Sequence, residues 1–276
     1  MGKIIAICNQ KGGTGKTTTA INLAAYLALA QRKVLLIDLD PQANTTSGLG
    51  FTQADVKKST YHILLEEAAL KEIVLDTGVE NLWLAPSSLD LTGAAVELVS
   101  VLGREYRLKK ILSTEKESFD FIFIDSPPSL GLLTINALCA ADSALIPVQC
   151  EYYALEGLSQ LLNTIKLVKE NLNSALDIEG VHLTMADFRT NLTKEVIEEV
   201  RKHFPNKVYN TIIPRSIRLT EAPSFGKPIV FYDKDSIGAH KYAELSREIL
   251  GIAREEFRLD NSSEETPTVV QSKSGE

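Results

Sequence analysis

NQKGGTGKTTTA, residues Asn9 to Ala20, is the stretch on which the fold turns. The apolar run KIIAIC precedes it and reads as a buried strand; TTTAINLAAYLALA follows and reads as a helix. A glycine-rich loop between a strand and a helix turns successive backbone N–H groups inward, and the helix N-terminus adds the positive end of its dipole. Gly12, Gly13, Thr14, Gly15, Lys16, Thr17 and Thr18 are therefore the expected phosphate cradle. Lys16 is placed to reach β- and γ-phosphates, and the Thr17 hydroxyl to serve Mg²⁺. The ordinary pattern, G-x-x-x-x-G-K-[ST], requires glycine at position 10, where this chain has Gln10. It also carries a second lysine, Lys11, that the ordinary pattern does not need.

Outward from this loop, short apolar runs alternate with helix-length segments. KVLLID, ENLWLAP, FDFIFID, SALIPV, IEGVHLTM and VYNTIIP read as strands, and their Val, Ile and Leu are continuous, as in strands covered on both faces. Helices are expected across Leu89–Leu112, over LTINALCAA, LEGLSQLLNTIKLVKENL and KEVIEEVRKHF, and from Ile237 to about Phe257. The alternation predicts an α/β fold, a doubly wound, mostly parallel sheet with helices on both faces. The chain has 276 residues, 44% hydrophobic and 24% charged, ample for a sizeable core. A single domain is expected over residues 1–258, with a disordered acidic tail over 259–276. Cys8, Cys139 and Cys150 lack metal-type spacing and read as buried thiols of a cytosolic protein. No signal peptide or membrane-length apolar stretch is visible.

KGGTGKTT resembles the deviant Walker motif of the ParA/MinD group of P-loop ATPases. The resemblance implies ATP and Mg²⁺ as cofactors and a homodimer when ATP is bound, with Lys11 reaching the nucleotide held by the other subunit. A cation there offsets transition-state charge as an arginine finger does. In LLIDLDPQANTTSGLG, Asp38 and Asp40 end a strand where ligands bind in open α/β sheets. Asp40 matches the switch aspartate that positions the attacking water and lies close to the metal. FDFIFIDSPPSLG ends its apolar run at Asp125, as an acid holding Mg²⁺ should. Lys11, Lys16 and Asp40 are thus the expected catalytic residues, and Thr17, Asp40 and Asp125 the expected metal residues. No stronger base stands out, so slow intrinsic hydrolysis that needs a partner is expected.

DLDPQANTTSGLG, TMADFRTNL and IIPRSIRLTEAPSFGKPIVFYD resemble the short, Soj-type chromosome-partitioning branch, over residues 1–252. That resemblance implies non-specific double-stranded DNA and a ParB-type centromere-binding protein as partners, and a cytoplasmic, nucleoid-associated protein. It aligns Arg189 and Arg218 with DNA-binding arginines and sets Pro214 against adenine. The charge distribution is compatible: residues 181–230 carry eight basic and five acidic side chains, net +3, leaving −10 elsewhere in a chain of −7. The same switch could position another cargo on the nucleoid. A membrane-cycling MinD-like division regulator is the further alternative. Its basic membrane-binding helix is not matched by a tail holding Asp260, Glu264, Glu265 and Glu276 against Lys273, so no stable membrane association is expected.

Overall fold

The computed structural model describes residues 2–151 and 154–252. In chain order its elements are β1 (Lys3–Ile7), α1 (Lys16–Leu29), β2 (Val34–Asp38), α2 (Asn44–Gly48), α3 (Thr60–Leu64), α4 (Leu70–Ile73), β3 (Leu75–Asp76) and β4 (Leu82–Ala85). There follow α5 (Leu91–Glu97), α6 (Arg107–Glu115), β5 (Phe121–Asp125), α7 (Leu132–Ala140), β6 (Ser143–Gln149), α8 (Ala154–Asn171) and β7 (Asp177–Ala186). The chain continues through α9 (Asn191–His203), β8 (Val208–Pro214), α10 (Ile217–Glu221), α11 (Ile229–Tyr232) and α12 (Ile237–Leu250).

The eight strands form one sheet in the order β3-β4-β2-β5-β1-β6-β7-β8. Every pairing is parallel except that of the two-residue edge strand β3 with β4. Successive side chains of a strand point to opposite faces, and β1 divides its residues accordingly. Ile4 and Ala6 enter the core that also contains Leu133 of α7 and Leu161 of α8. Ile5 and Ile7 enter the opposite core, with Leu23 of α1 and Tyr242 of α12. Both faces are therefore dry, which explains the unbroken apolar runs of the inner strands. The three cysteines are buried and unpaired. No described helix is long and apolar enough to cross a membrane.

The expected fold class holds, but two helices differ from the reading. The segment Leu89–Leu112 is not one helix: α5 ends at Glu97, and Gly103 takes a left-handed conformation (φ 70°) before α6 begins. The buried Asn136 of α7 fixes this break, donating from Nδ2 to the Arg104 carbonyl (2.9 Å) and accepting from the Leu108 N–H (3.2 Å). The final helix stops at Leu250, not near Phe257. Gly251, at φ 65°, caps it by donating its N–H to the Arg247 and Glu248 carbonyls, a termination that glycine permits most easily. The expected tail, 259–276, lies outside the described residues.

Candidate active site

β1 is the point where the strand order reverses, and in open parallel sheets ligands bind outside the C-terminal strand ends at such a point. The glycine loop leaves the end of β1 there. Gly13 (φ 72°) and Gly15 (φ 85°) hold left-handed turns that side chains resist. The loop is anchored from outside its own sequence. Thr184 of β7 donates its hydroxyl to the Thr14 carbonyl (2.9 Å), and Asn9 Nδ2 donates to the Pro147 carbonyl of β6 (2.8 Å). Asn9 Oδ1 accepts the Lys11 N–H (3.0 Å). Gly15 caps α1 without a side-chain acceptor, so the first N–H groups of the helix remain turned toward the loop.

The two lysines are placed differently. Lys16 is 6% exposed, and its ammonium donates to the Lys11 carbonyl at 3.1 Å. Burial lowers its pKa, against the opposing pull of Asp125 and Asp40. The Lys11 side chain is about one-third exposed, and its ammonium lies 3.5 Å from Glu151 Oε2, just beyond β6.

The acids lie opposite. Asp38 and Asp125 are register partners on adjacent strands, both fully buried. Asp125 Oδ2 accepts the hydroxyls of Thr17 (2.8 Å) and Thr45 (2.7 Å), whereas its Oδ1 is buried without a hydrogen-bond partner. An unsatisfied buried carboxylate oxygen is costly, and burial pushes Asp125 up to about 6. Burial and the neighbouring Asp125 charge push Asp38 up to about 7. Asp38 is fully engaged with the backbone N–H and hydroxyl of Thr46 and the N–H of Asp40, so it shapes the loop. Asp40, 7% exposed, turns the chain by accepting the Gln42 N–H (2.9 Å). The Asp125–Thr17 pair fits Mg²⁺, which takes one or two protein oxygens beside phosphates and retained waters. Among the described residues, no cluster of three or more His, Cys, Asp or Glu could hold a metal by itself.

Pro214 ends β8 in register with Ala186 of β7, beside this strand edge. Arg189, just after β7, forms a two-pronged pair with Asp187 (2.8 and 2.6 Å) and is otherwise highly exposed. Arg218, in α10, pairs with Glu221 (3.0 Å) and Asp233 (3.2 Å). The structure thus brings the cradle, Lys16, Asp40 and Asp125 together, and puts Arg189 on the loop after β7 and Arg218 on α10, which follows β8. The sequence reading missed Thr45, Thr184 and Glu151, whose roles depend on contacts far apart in the chain.

A family profile described as an AAA domain matches residues 2–178. The chain is 60% identical to the sporulation initiation inhibitor protein Soj of Bacillus subtilis, over 90% of this chain and 98% of that protein. This protein belongs to the ParA/MinD family, in its Soj branch. The Soj-type chain is also 53% identical to the chromosome-partitioning ATPase Soj of Treponema pallidum, covering 91% of this chain and 98% of that one. Its fold matches a cobyrinic acid a,c-diamide synthase of Mycobacterium smegmatis solved with a bound ATP analogue and magnesium. That match has a TM-score of 0.80 and 35% identity, over 91% of this chain and 95% of that one. The higher identity to the Soj proteins separates the branch from this shared fold.

Proposed function

We propose that this protein is an ATP-driven partition ATPase that binds DNA as an ATP-closed dimer and is reset by partner-stimulated hydrolysis. The observation that carries the reading is the contrast between the two loop lysines. Lys16 lies inside the loop and suffices for the β- and γ-phosphates of its own nucleotide. Lys11, about one-third exposed and paired with Glu151 by its ammonium, is available to the nucleotide of a facing copy. Two such sites facing each other make a two-fold dimer in which ATP is part of the interface.

In this reading Gly12, Gly13, Thr14, Gly15, Thr17 and Thr18 cradle the phosphates, and Pro214 borders the adenine. Thr17 and Asp125 hold Mg²⁺, which supplies charge neutralisation at the phosphate oxygens. Asp40 orients the attacking water, and Lys11 and Lys16 offset the charge that develops on the transferred phosphoryl group. Arg189 and Arg218 meet DNA phosphates, and a ParB-type protein accelerates hydrolysis. The Soj and ParA names of the similar proteins support a chromosomal cargo. Nucleoid association in the cytoplasm follows from the DNA contact.

Light scattering and DNA retention, each with Mg-ATP and with Mg-ADP, test the proposal together. The expected result is a dimer and bound DNA with ATP alone. A dimer that forms equally with ADP, or DNA binding indifferent to the nucleotide, overturns it.

A further inference from the structure

Glu151, just beyond β6, has no part in phosphate or metal binding, yet it is held in place from two sides. Its Oε1 accepts from Gln149 Nε2 (2.6 Å) and from Arg215 Nη2 (3.3 Å). Its backbone N–H donates to the Gln149 carbonyl (2.8 Å). Its second oxygen, Oε2, faces the Lys11 ammonium at 3.5 Å. Residue 11 is restrained at several points: the side chain by Glu151, the backbone N–H by Asn9 Oδ1 (3.0 Å), and the backbone carbonyl by the Lys16 ammonium at 3.1 Å.

We propose that Glu151 is a latch that keeps Lys11 on its own protomer until ATP is bound, which rests on the reading that Lys11 serves a facing copy's nucleotide. The coupling is local. A γ-phosphate in the loop is a stronger partner for Lys16 than a neutral carbonyl, because it adds an attraction between opposite full charges that the carbonyl lacks. When Lys16 turns to it, the Lys11 carbonyl loses that partner, and the exposed Lys11–Glu151 pair is what still restrains the side chain. That pair is weak enough to open when a facing phosphate offers more charge. Without nucleotide, Glu151 partly neutralises Lys11 and stops an uncompensated cation from seeking other anions. Arg215, on the far side of Glu151, holds the carboxylate in position throughout and is the other charged group facing it.

The test uses the full chain and a slowly hydrolysed ATP analogue with Mg²⁺, with the dimer dissociation constant measured by sedimentation. Exposed pairs of this kind are worth about 1.4- to 5-fold each in an equilibrium. Two latches open per dimer, so Glu151→Gln should lower the dissociation constant about 2- to 25-fold. The advantage should shrink as salt rises, because an exposed ion pair is screened; a purely structural role would not fade in this way. With ADP, Glu151→Gln should stay monomeric. Adding Glu151→Gln to Lys11→Ala should restore no dimer, since the gain acts through Lys11. A dissociation constant that is unchanged or higher in Glu151→Gln overturns the latch, as does a gain that survives Lys11→Ala. Wild-type dimerisation by Lys11→Ala alone would instead remove the underlying role of Lys11.

Discussion

The buried acid pair at the ends of β2 and β5 makes the nucleotide-free protein respond to pH in a way that one substitution isolates. Asp125 has a carboxyl pushed up to about 6 by burial, from an ordinary value of 3.8. An acid whose folded pKa lies above its unfolded value costs no stability at low pH. The cost appears as the pH rises past the unfolded value, and is complete above the folded one. At about 1.36 kcal/mol per pKa unit, the full cost at Asp125 is about 3 kcal/mol near pH 8, and about 1.6 kcal/mol near pH 5. Asp125→Asn removes that cost but buries an amide with an unpaired N–H, itself worth about 1–3 kcal/mol at any pH. The net effect at one pH is therefore uninformative, whereas its pH dependence is diagnostic. Relative to wild type, Asp125→Asn should gain about 1.4 kcal/mol between pH 5 and pH 8, and more to the extent that Asp38 is also relieved. His182, buried and pushed down to about 3, contributes an opposite slope to both proteins and cancels in the comparison. Urea unfolding of the nucleotide-free proteins at several pH values measures this. A difference that stays flat from pH 5 to pH 8 would refute the buried, unrelieved state of Asp125.

Lys16→Ala should abolish useful nucleotide affinity in calorimetry, because it removes the buried cation that the loop carries; intact binding would sink the phosphate-cradle reading. Lys11→Ala should keep monomeric nucleotide binding while losing dimerisation and hydrolysis. Asp40→Ala should bind ATP and dimerise but stall, a trapped dimer visible by light scattering, and normal turnover would remove Asp40 from the chemistry. For DNA, four arginines per dimer imply a log–log salt slope near −3.6, from roughly −0.9 per phosphate, so a fourfold rise in salt should weaken binding about a hundred-fold. Arg189→Glu or Arg218→Glu should each lose most of that binding in a titration with ATP; no loss in either would exclude these contacts.

The parts of the site legible in the sequence are those whose partners lie close in the chain or at a strand end. The loop from Lys11 to Thr18 announces itself because glycine spacing and a following helix are local facts. Asp125 was legible because an apolar run ends at it, and Asp40, two residues past the run that ends at Asp38, because it matches the switch aspartate of the resembled family. Thr45 was not, although it donates to the same oxygen as Thr17, because 80 residues separate it from Asp125. Thr184 supports the loop across 170 residues, and no spacing rule reaches that far. The helix expected over Leu89–Leu112 failed for the same reason. Its periodicity was compatible with one helix, but Asn136, on a different element, fixes the break at Arg104. Strands buried on both faces were easier to read, because burial leaves a continuous apolar run in the local sequence.

The two arginines of the proposed DNA surface are not unpaired charges, and this bears on why nucleotide would control binding. Arg189 must leave Asp187, which holds it through two hydrogen bonds, and Arg218 must leave or share Glu221 and Asp233. The Arg189 guanidinium in turn holds the Asp187 carboxyl down at about 2, so protonation cannot release the arginine near neutral pH. Each contact with a DNA phosphate is then an exchange of one anion for another. Its gain comes largely from counterions released by the DNA. Such exchanges are small per protomer and add when two protomers present their arginines on one surface. On the proposed reading, a monomer carrying two arginines in an acidic chain would bind weakly, and dimerisation would raise affinity without any new contact chemistry. Removing the internal competitor should therefore uncouple the steps: Asp187→Asn should strengthen DNA binding in the monomeric ADP form while leaving ATP hydrolysis unchanged. Filter binding in ADP at low salt measures the first, and phosphate release without DNA the second. Unchanged ADP-state binding by Asp187→Asn would mean that the carboxylate does not restrain Arg189, and that dimerisation controls DNA binding by other means.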